Sequence, residues 1–200
     1  MTFANRADVQ HEAIGELGDR SLSVSGGRLA LFSTVPLDEP RPGPNEAVIV
    51  VHGALRNAGD YYRSIRPGRR RLVVAPQFLT EDDVRADEAR AGYLHWGTEE
   101  WKGGLGEVSS FTVMDELLQS VAAFPDVRHV TIVGNSAGGQ FVNRYAAVGR
   151  GPDHIGASVR FVVANPSTYL YFDRQRPKGD SFVDHDDLDV DQWRYGFGGG

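Results

Sequence analysis

The chain reads as an α/β domain, a mostly parallel sheet with helices on both faces. Three observations predict this. Residues 48–51, 72–75, 130–133 and 161–164 are short apolar runs, interrupted only by Thr131. They do not alternate, so both faces of each are expected to be buried, as in parallel strands covered on two sides. Segments of helical period lie between them. Val108, Phe111, Met114, Leu117, Leu118, Val121 and Phe124 recur at helical spacing, and Pro125 stops the pattern. Finally, 24 glycines and 10 prolines in 200 residues favour many tight turns over a helical bundle.

Taken in order, residues 1–20 are polar and read as a flexible lead-in. Two β-rich pieces follow around residues 22–24 and 28–32, with Gly26-Gly27 as a hairpin turn between them. Pro36, Pro40, Pro42 and Pro44 make a stiff surface linker. A strand at 47–51, a short helix over 58–66 and a strand at 72–76 come next. A long loop leads to the helix at 108–124. A strand at 130–134 runs into a helix at 136–148, which ends near Gly149 and Gly151, and a strand at 159–164 closes the series. The core is therefore expected over 21–165. Residues 166–200 carry seven aspartates and no buried-strand pattern, and read as an acidic irregular tail or the start of a lid region.

Lys and Arg number 21 against 27 Asp and Glu, a net charge of −6. That balance argues against a nucleic-acid partner. The one basic run, over residues 66–71, reads as a solvated turn. Absence of cysteine excludes disulfides, thiolate metal sites and a Cys nucleophile. The longest apolar stretch, 47–51, falls far short of the ~20 residues of a membrane span. No apolar signal region opens the chain, so a cytoplasmic protein without a membrane partner is expected. The aspartates of 184–191 lack the glycine and terminal Glu of a calcium loop. No metal is expected.

The chemistry concentrates in Gly134-Asn135-Ser136-Ala137-Gly138, a Gly-x-Ser-x-Gly between a buried strand and a helix. A nucleophile on such a sharp turn is strained, and small flanking residues permit it. The turn lifts the Ser136 hydroxyl above the carboxyl end of the sheet. It also presents the Ala137 N–H, at a helix N-terminus, to a developing oxyanion. Two competing readings stand beside this one. Ser136 could be a helix N-cap in a Gly-rich turn. A phosphate cradle is the other, although no Gly-x-Gly-x-x-Gly and no Lys-Ser/Thr accompanies the glycines.

The second element is His52-Gly53-Ala54-Leu55, directly after the first long strand. The His-Gly pair turns the chain so that the next N–H, that of Ala54, faces the serine turn, with Leu55 close behind. His52 itself reads as structural, bracing the loop by hydrogen bonds.

These two elements, about 80 residues apart, resemble the α/β-hydrolase superfamily over residues 20–165. The run Asn165-Pro166-Ser167-Thr168-Tyr169-Leu170-Tyr171 is similar to one in a group of its bacterial and fungal members. The resemblance implies an eight-stranded, mostly parallel sheet and a Ser–acid–His triad in that chain order, without a cofactor. It calls for two strands beyond the sixth, carrying acid and base, and residues 165–200 supply neither as a buried run. The chain thus reads as C-terminally truncated. Alternatively the triad closes within it, with Asp173 as acid and His185 as base. His95 and Trp96, on the long loop, are candidate substrate-binding residues with Leu55. An equal alternative is that the loop's aromatics simply anchor it.

The expected function is hydrolysis of a small-molecule ester, thioester or amide through an acyl-enzyme on Ser136. The alternative is a non-catalytic remnant or binding protein that keeps the fold and lacks the base. Oligomeric state is not legible.

Overall fold

The computed structural model describes residues 13–65, 68, 70–184 and 191–197. Strands β1 (Arg20–Val24) and β2 (Gly27–Ser33) form the expected hairpin, turning at Gly26 with φ 84°. Then follow β3 (Glu46–Val51), α1 (Ala58–Ser64), β4 (Arg71–Gln77), β5 (Leu79–Thr80) and α2 (Glu81–Arg85). β6 (His95–Trp96), α3 (Glu100–Gly103), α4 (Ser110–Ala122), β7 (His129–Asn135) and α5 (Ala137–Val148) come next. β8 (Ser158–Ala164) and a hairpin of β9 (Gln175–Lys178) and β10 (Ser181–Asp184) complete the order.

Among the described residues, the main sheet has six strands in the order β1-β2-β4-β3-β7-β8. β3, β4, β7 and β8 are mutually parallel, while β2 runs antiparallel to both β1 and β4. Alternate residues sort the apolar runs onto two faces. Ala47, Ile49, Val51, Leu72, Val74, Val130 and Ile132 meet the apolar sides of α4 and α5, including Met114, Leu117, Val121 and Phe141. Phe32, Val50, Ala58 and Ala75 form the thinner second layer beneath α1. Each fully buried aliphatic side chain contributes about 1.5–3 kcal/mol of transfer free energy.

β8 departs from the expectation of burial on both faces. Val159, Phe161 and Val163 pack against the larger core, but Arg160 is exposed and Val162 is 38% exposed. Among the described residues, no helix lies over that face and no strand pairs with the outer edge of β8.

Two further corrections concern segments read as irregular. Residues 13–19 lie against the domain: Ile14 is buried, and its N–H donates to Asp83 Oδ1 at 2.8 Å. Between 166 and 197, the exposed β9–β10 hairpin forms about the Gly179 turn. The Trp193 Nε1–H donates to the Gly103 carbonyl, and the Leu170 N–H to Asn143 Oδ1, which fastens this region to α3 and α5. No described helix is long and apolar enough to cross a membrane.

Candidate active site

The chain leaves β3 toward β4 on one side and leaves β7 toward β8 on the other. Adjacent parallel strands whose connections diverge leave a crevice at their carboxyl ends, the usual ligand position in an open α/β sheet. Val51 of β3 pairs with Gly134 of β7, so the His52–Leu55 loop and Ser136 emerge side by side.

Ser136 has φ 57° and ψ −118°, between the last strand residue and the first helical one. A non-glycine residue held there costs of order 1–3 kcal/mol, and such strain collects at functional sites. The surrounding glycines explain how the turn is tolerated. A methyl group on Gly134 would overlap the Gly138 carbonyl, and one on Gly138 would overlap the Val51 and His52 carbonyls. The Ser136 N–H donates to Ala164 O at 3.0 Å, and Ser136 O accepts from the Gln140 N–H at 3.0 Å. The hydroxyl makes no cap bond to the helix. This removes the N-cap reading: the side chain is half-buried and free of a protein partner among the described residues.

Two other non-glycine residues with positive φ flank Ser136. Arg56 (φ 56°) follows β3, and Asn165 (φ 44°) follows β8. The Asn165 Nδ2–H donates to Asn135 Oδ1 at 3.1 Å, which ties the end of β8 to the residue before the serine. Sequence reasoning singled out neither Arg56 nor the Asn135–Asn165 pair.

His52 is a bracket, as the sequence suggested. It is fully buried, its Nε2 accepts from the Phe78 N–H at 3.0 Å, and its Nδ1–H donates to Gly53 O at 2.8 Å. Burial lowers its pKa to about 4, against the opposing pull of the Gly53 bond. It is therefore neutral in this tautomer and has no nitrogen left to serve Ser136.

The other expected site residues stand as follows. Ala54 is exposed in the turn after Gly53, and its N–H and that of Ala137 enter no loop or cap bond among the described residues. Leu55 is 77% exposed and borders a groove of about 240 Å³ shared with Ile14, Glu16, Asn57 and Arg63. His95 is exposed on β6, with Nδ1 3.4 Å from Tyr93 O. Trp96 is buried, donates to Val108 O at 2.7 Å and packs edge-on to Phe78, so it anchors its loop in the core. Asp173 is exposed, and its Oδ1 accepts from the Gln175 N–H at the entry to β9. His185 lies outside the described residues. His129 meets Ser158 at the opposite end of β7, and His154 is exposed in the turn beyond α5. Among the described residues, no histidine bonds to Ser136 and no group of acidic or His side chains could hold a metal ion.

No protein-family model and no curated protein matches the sequence. Solved structures do. LpqC, a poly(3-hydroxybutyrate) depolymerase from Bordetella parapertussis, is 20% identical with a TM-score of 0.45, covering 79% of this chain and 53% of its own. Poly(aspartic acid) hydrolase-1 from Sphingomonas sp. KT-1 is 26% identical with a TM-score of 0.47, covering 76% and 58%. A thioesterase domain from the curacin biosynthetic pathway is 17% identical with a TM-score of 0.42, covering 86% and 49%. The chain thus spans about half the length of the solved structures it matches. The parallel strands beside an antiparallel β2, the strained serine between β7 and α5, and the His-Gly turn beside it make this an α/β-hydrolase fold.

Proposed function

We propose that the protein is a serine hydrolase acting on a carbonyl ester, thioester or amide. The observation that carries this reading is the Ser136 backbone: a strained residue at a sheet's switch point, its hydroxyl withheld from the helix cap. Ser136 Oγ attacks the carbonyl carbon while a base takes its proton. The Ala54 and Ala137 N–H groups receive the oxyanion, each contributing about 3–4 kcal/mol to the transition state. Collapse expels the alcohol, thiol or amine with that proton and leaves an acyl-Ser136. Water, deprotonated by the same base, then releases the acid. His185 is proposed as base and Asp173 as its acid, with Leu55 and His95 bordering the substrate.

A second reading has one observation in its favour. Among the described residues no histidine is hydrogen-bonded to Ser136, as a non-catalytic protein of this fold would have it. Labelling with a fluorophosphonate probe separates the two. We expect stoichiometric labelling that disappears in Ser136→Ala, together with hydrolysis of p-nitrophenyl esters that falls by His185→Ala about as far as by Ser136→Ala. A folded wild type that never labels would leave the binding-protein reading in place.

A further inference from the structure

Arg56 and Asp83 form an ion pair whose side chains are 2% and 0% exposed. Charges are seldom removed from water so completely, and the pair sits directly behind the turn assigned to the oxyanion. Arg56 Nε–H donates to Asp83 Oδ2 at 2.6 Å and its Nη2–H to Asp83 Oδ1 at 3.1 Å. Asp83 is itself held by three more donors: the N–H and hydroxyl of Thr80 and the N–H of Ile14. Gln77 Nε2–H fastens the Arg56 carbonyl at 3.0 Å. The guanidinium is thus bonded to Asp83 through two of its nitrogens, and the third, Nη1–H, donates to the Ala54 carbonyl at 3.1 Å.

That last bond has a geometric consequence. In a trans peptide the C=O and the following N–H point in opposite directions. With Ala54 O drawn toward the buried guanidinium, the Leu55 N–H faces away from it. The preceding peptide is pinned in the same manner. Gly53 O accepts from the His52 Nδ1–H and from the Arg56 N–H at 3.1 Å, so the Ala54 N–H is turned away from these donors. Both carbonyls of the turn are anchored inside, and both N–H groups are set outward before any substrate arrives.

We infer that Arg56, clamped by Asp83, is a positioning residue that pre-orients the turn carrying the Ala54 amide, the proposed partner of the Ala137 amide as oxyanion donor, with the Leu55 amide set outward beside it. The inference rests on the serine-hydrolase reading and adds a residue that never touches substrate. The positive φ of Arg56 fits such a role, because strain persists where surrounding bonds over-determine it. A donor aimed before reaction needs no reorganisation in the transition state, so loss of the clamp should appear in kcat rather than in KM.

Arg56→Lys keeps the cation beside Asp83 but cannot span both Asp83 oxygens and Ala54 O. Asp83→Asn loosens the clamp from the other side and serves if the lysine variant does not fold. Two readouts are needed on folded protein: backbone ¹⁵N order parameters of Ala54 and Leu55, and kcat and KM for p-nitrophenyl butyrate. We expect the order parameters to fall from about 0.85 toward 0.6. Alongside, kcat should drop at least ~10-fold with KM within about threefold. Order parameters that stay at the wild-type value overturn the inference, as does unchanged kcat with a loosened turn. A wild type that neither labels nor hydrolyses overturns the serine reading instead, and the amide measurement still reports whether Arg56 holds the turn.

Discussion

Ser136 sits in a turn that only particular neighbours allow, and the cost of changing them follows from the overlaps. Gly138→Ala would force a methyl group into two backbone carbonyls of β3 and its loop, which cannot move without tearing the sheet. We expect it to cost upward of about 3 kcal/mol in urea unfolding, at the severe end for one substitution. Gly156→Ala, where nothing lies within 4 Å, should be neutral or stabilise by about 0.4–1 kcal/mol. His52 gives a pH signature. Its folded pKa of about 4 lies below the ordinary 6.5, so the unfolded chain binds the extra proton between those values. Stability is then full above pH 6.5 and falls as pH drops toward 4, by about 3 kcal/mol at most. Asp83 titrates lower. Burial raises its carboxyl, but Arg56 and the Thr80 and Ile14 N–H groups bring it net below the usual carboxylate range, so its contribution is lost only in stronger acid. Chemical denaturation between pH 7.5 and 4.5 should therefore flatten in His52→Asn; an unchanged slope would contradict the bracket. The serine turn and the His52 brace were legible because a motif and its strand-to-helix context occupy one short window. Arg56–Asp83 left no such trace, since the two residues stand 27 positions apart and meet only once β4 is in place.

At the level of helices and strands, period and punctuation carried most of the information. The apolar repeat of α4 and its proline stop placed that helix to within two residues at each end. α5 ends where Gly149 was expected to end it. The stretch between β4 and α4 was read as one long loop, yet it contains β5, α2, β6 and α3. None of these exceeds five residues, so no periodic pattern has room to develop. They are stable because tertiary partners hold them: Thr80 and Asp83 make a capping box for α2, and Trp96 and Trp101 are buried. A similar long-range link joins α4 to α5. Tyr145 donates its hydroxyl to Asp115 Oδ1 at 2.6 Å, and the same oxygen accepts from the Arg150 and Gly151 N–H groups. Burial and this carboxylate push the Tyr145 hydroxyl pKa far up, so it stays protonated as a donor. Tyr145→Phe leaves Asp115 with its backbone donors and should cost about 1 kcal/mol in urea unfolding. Asp115→Leu strands three donors and should cost at least twice as much.

Across the molecule, the strand order brings the pieces to one place. β3 and β7 are distant in sequence but adjacent in the sheet, so the His-Gly turn and the serine turn share one crevice. The non-glycine residues of positive φ at Arg56, Ser136 and Asn165 follow three successive strands of that sheet, a concentration of strain no single segment reveals. Burial is uneven in a way that composition could not foretell. β3 and β4 are covered on both faces, whereas β8, among the described residues, pairs along one edge and leaves Val162 open. An apolar run records only that a strand can be buried, because the partner that buries it comes from elsewhere in the chain. The α/β class, the order of the long elements and the serine turn follow from local sterics and periodicity, which act over a few residues and are therefore written in neighbouring letters. The ion pair behind the Ala54 carbonyl, the tautomer of His52 and the clasp between Asn135 and Asn165 depend on which strands lie side by side. Their energies come from groups brought together through space, which is why they emerged only from the folded chain.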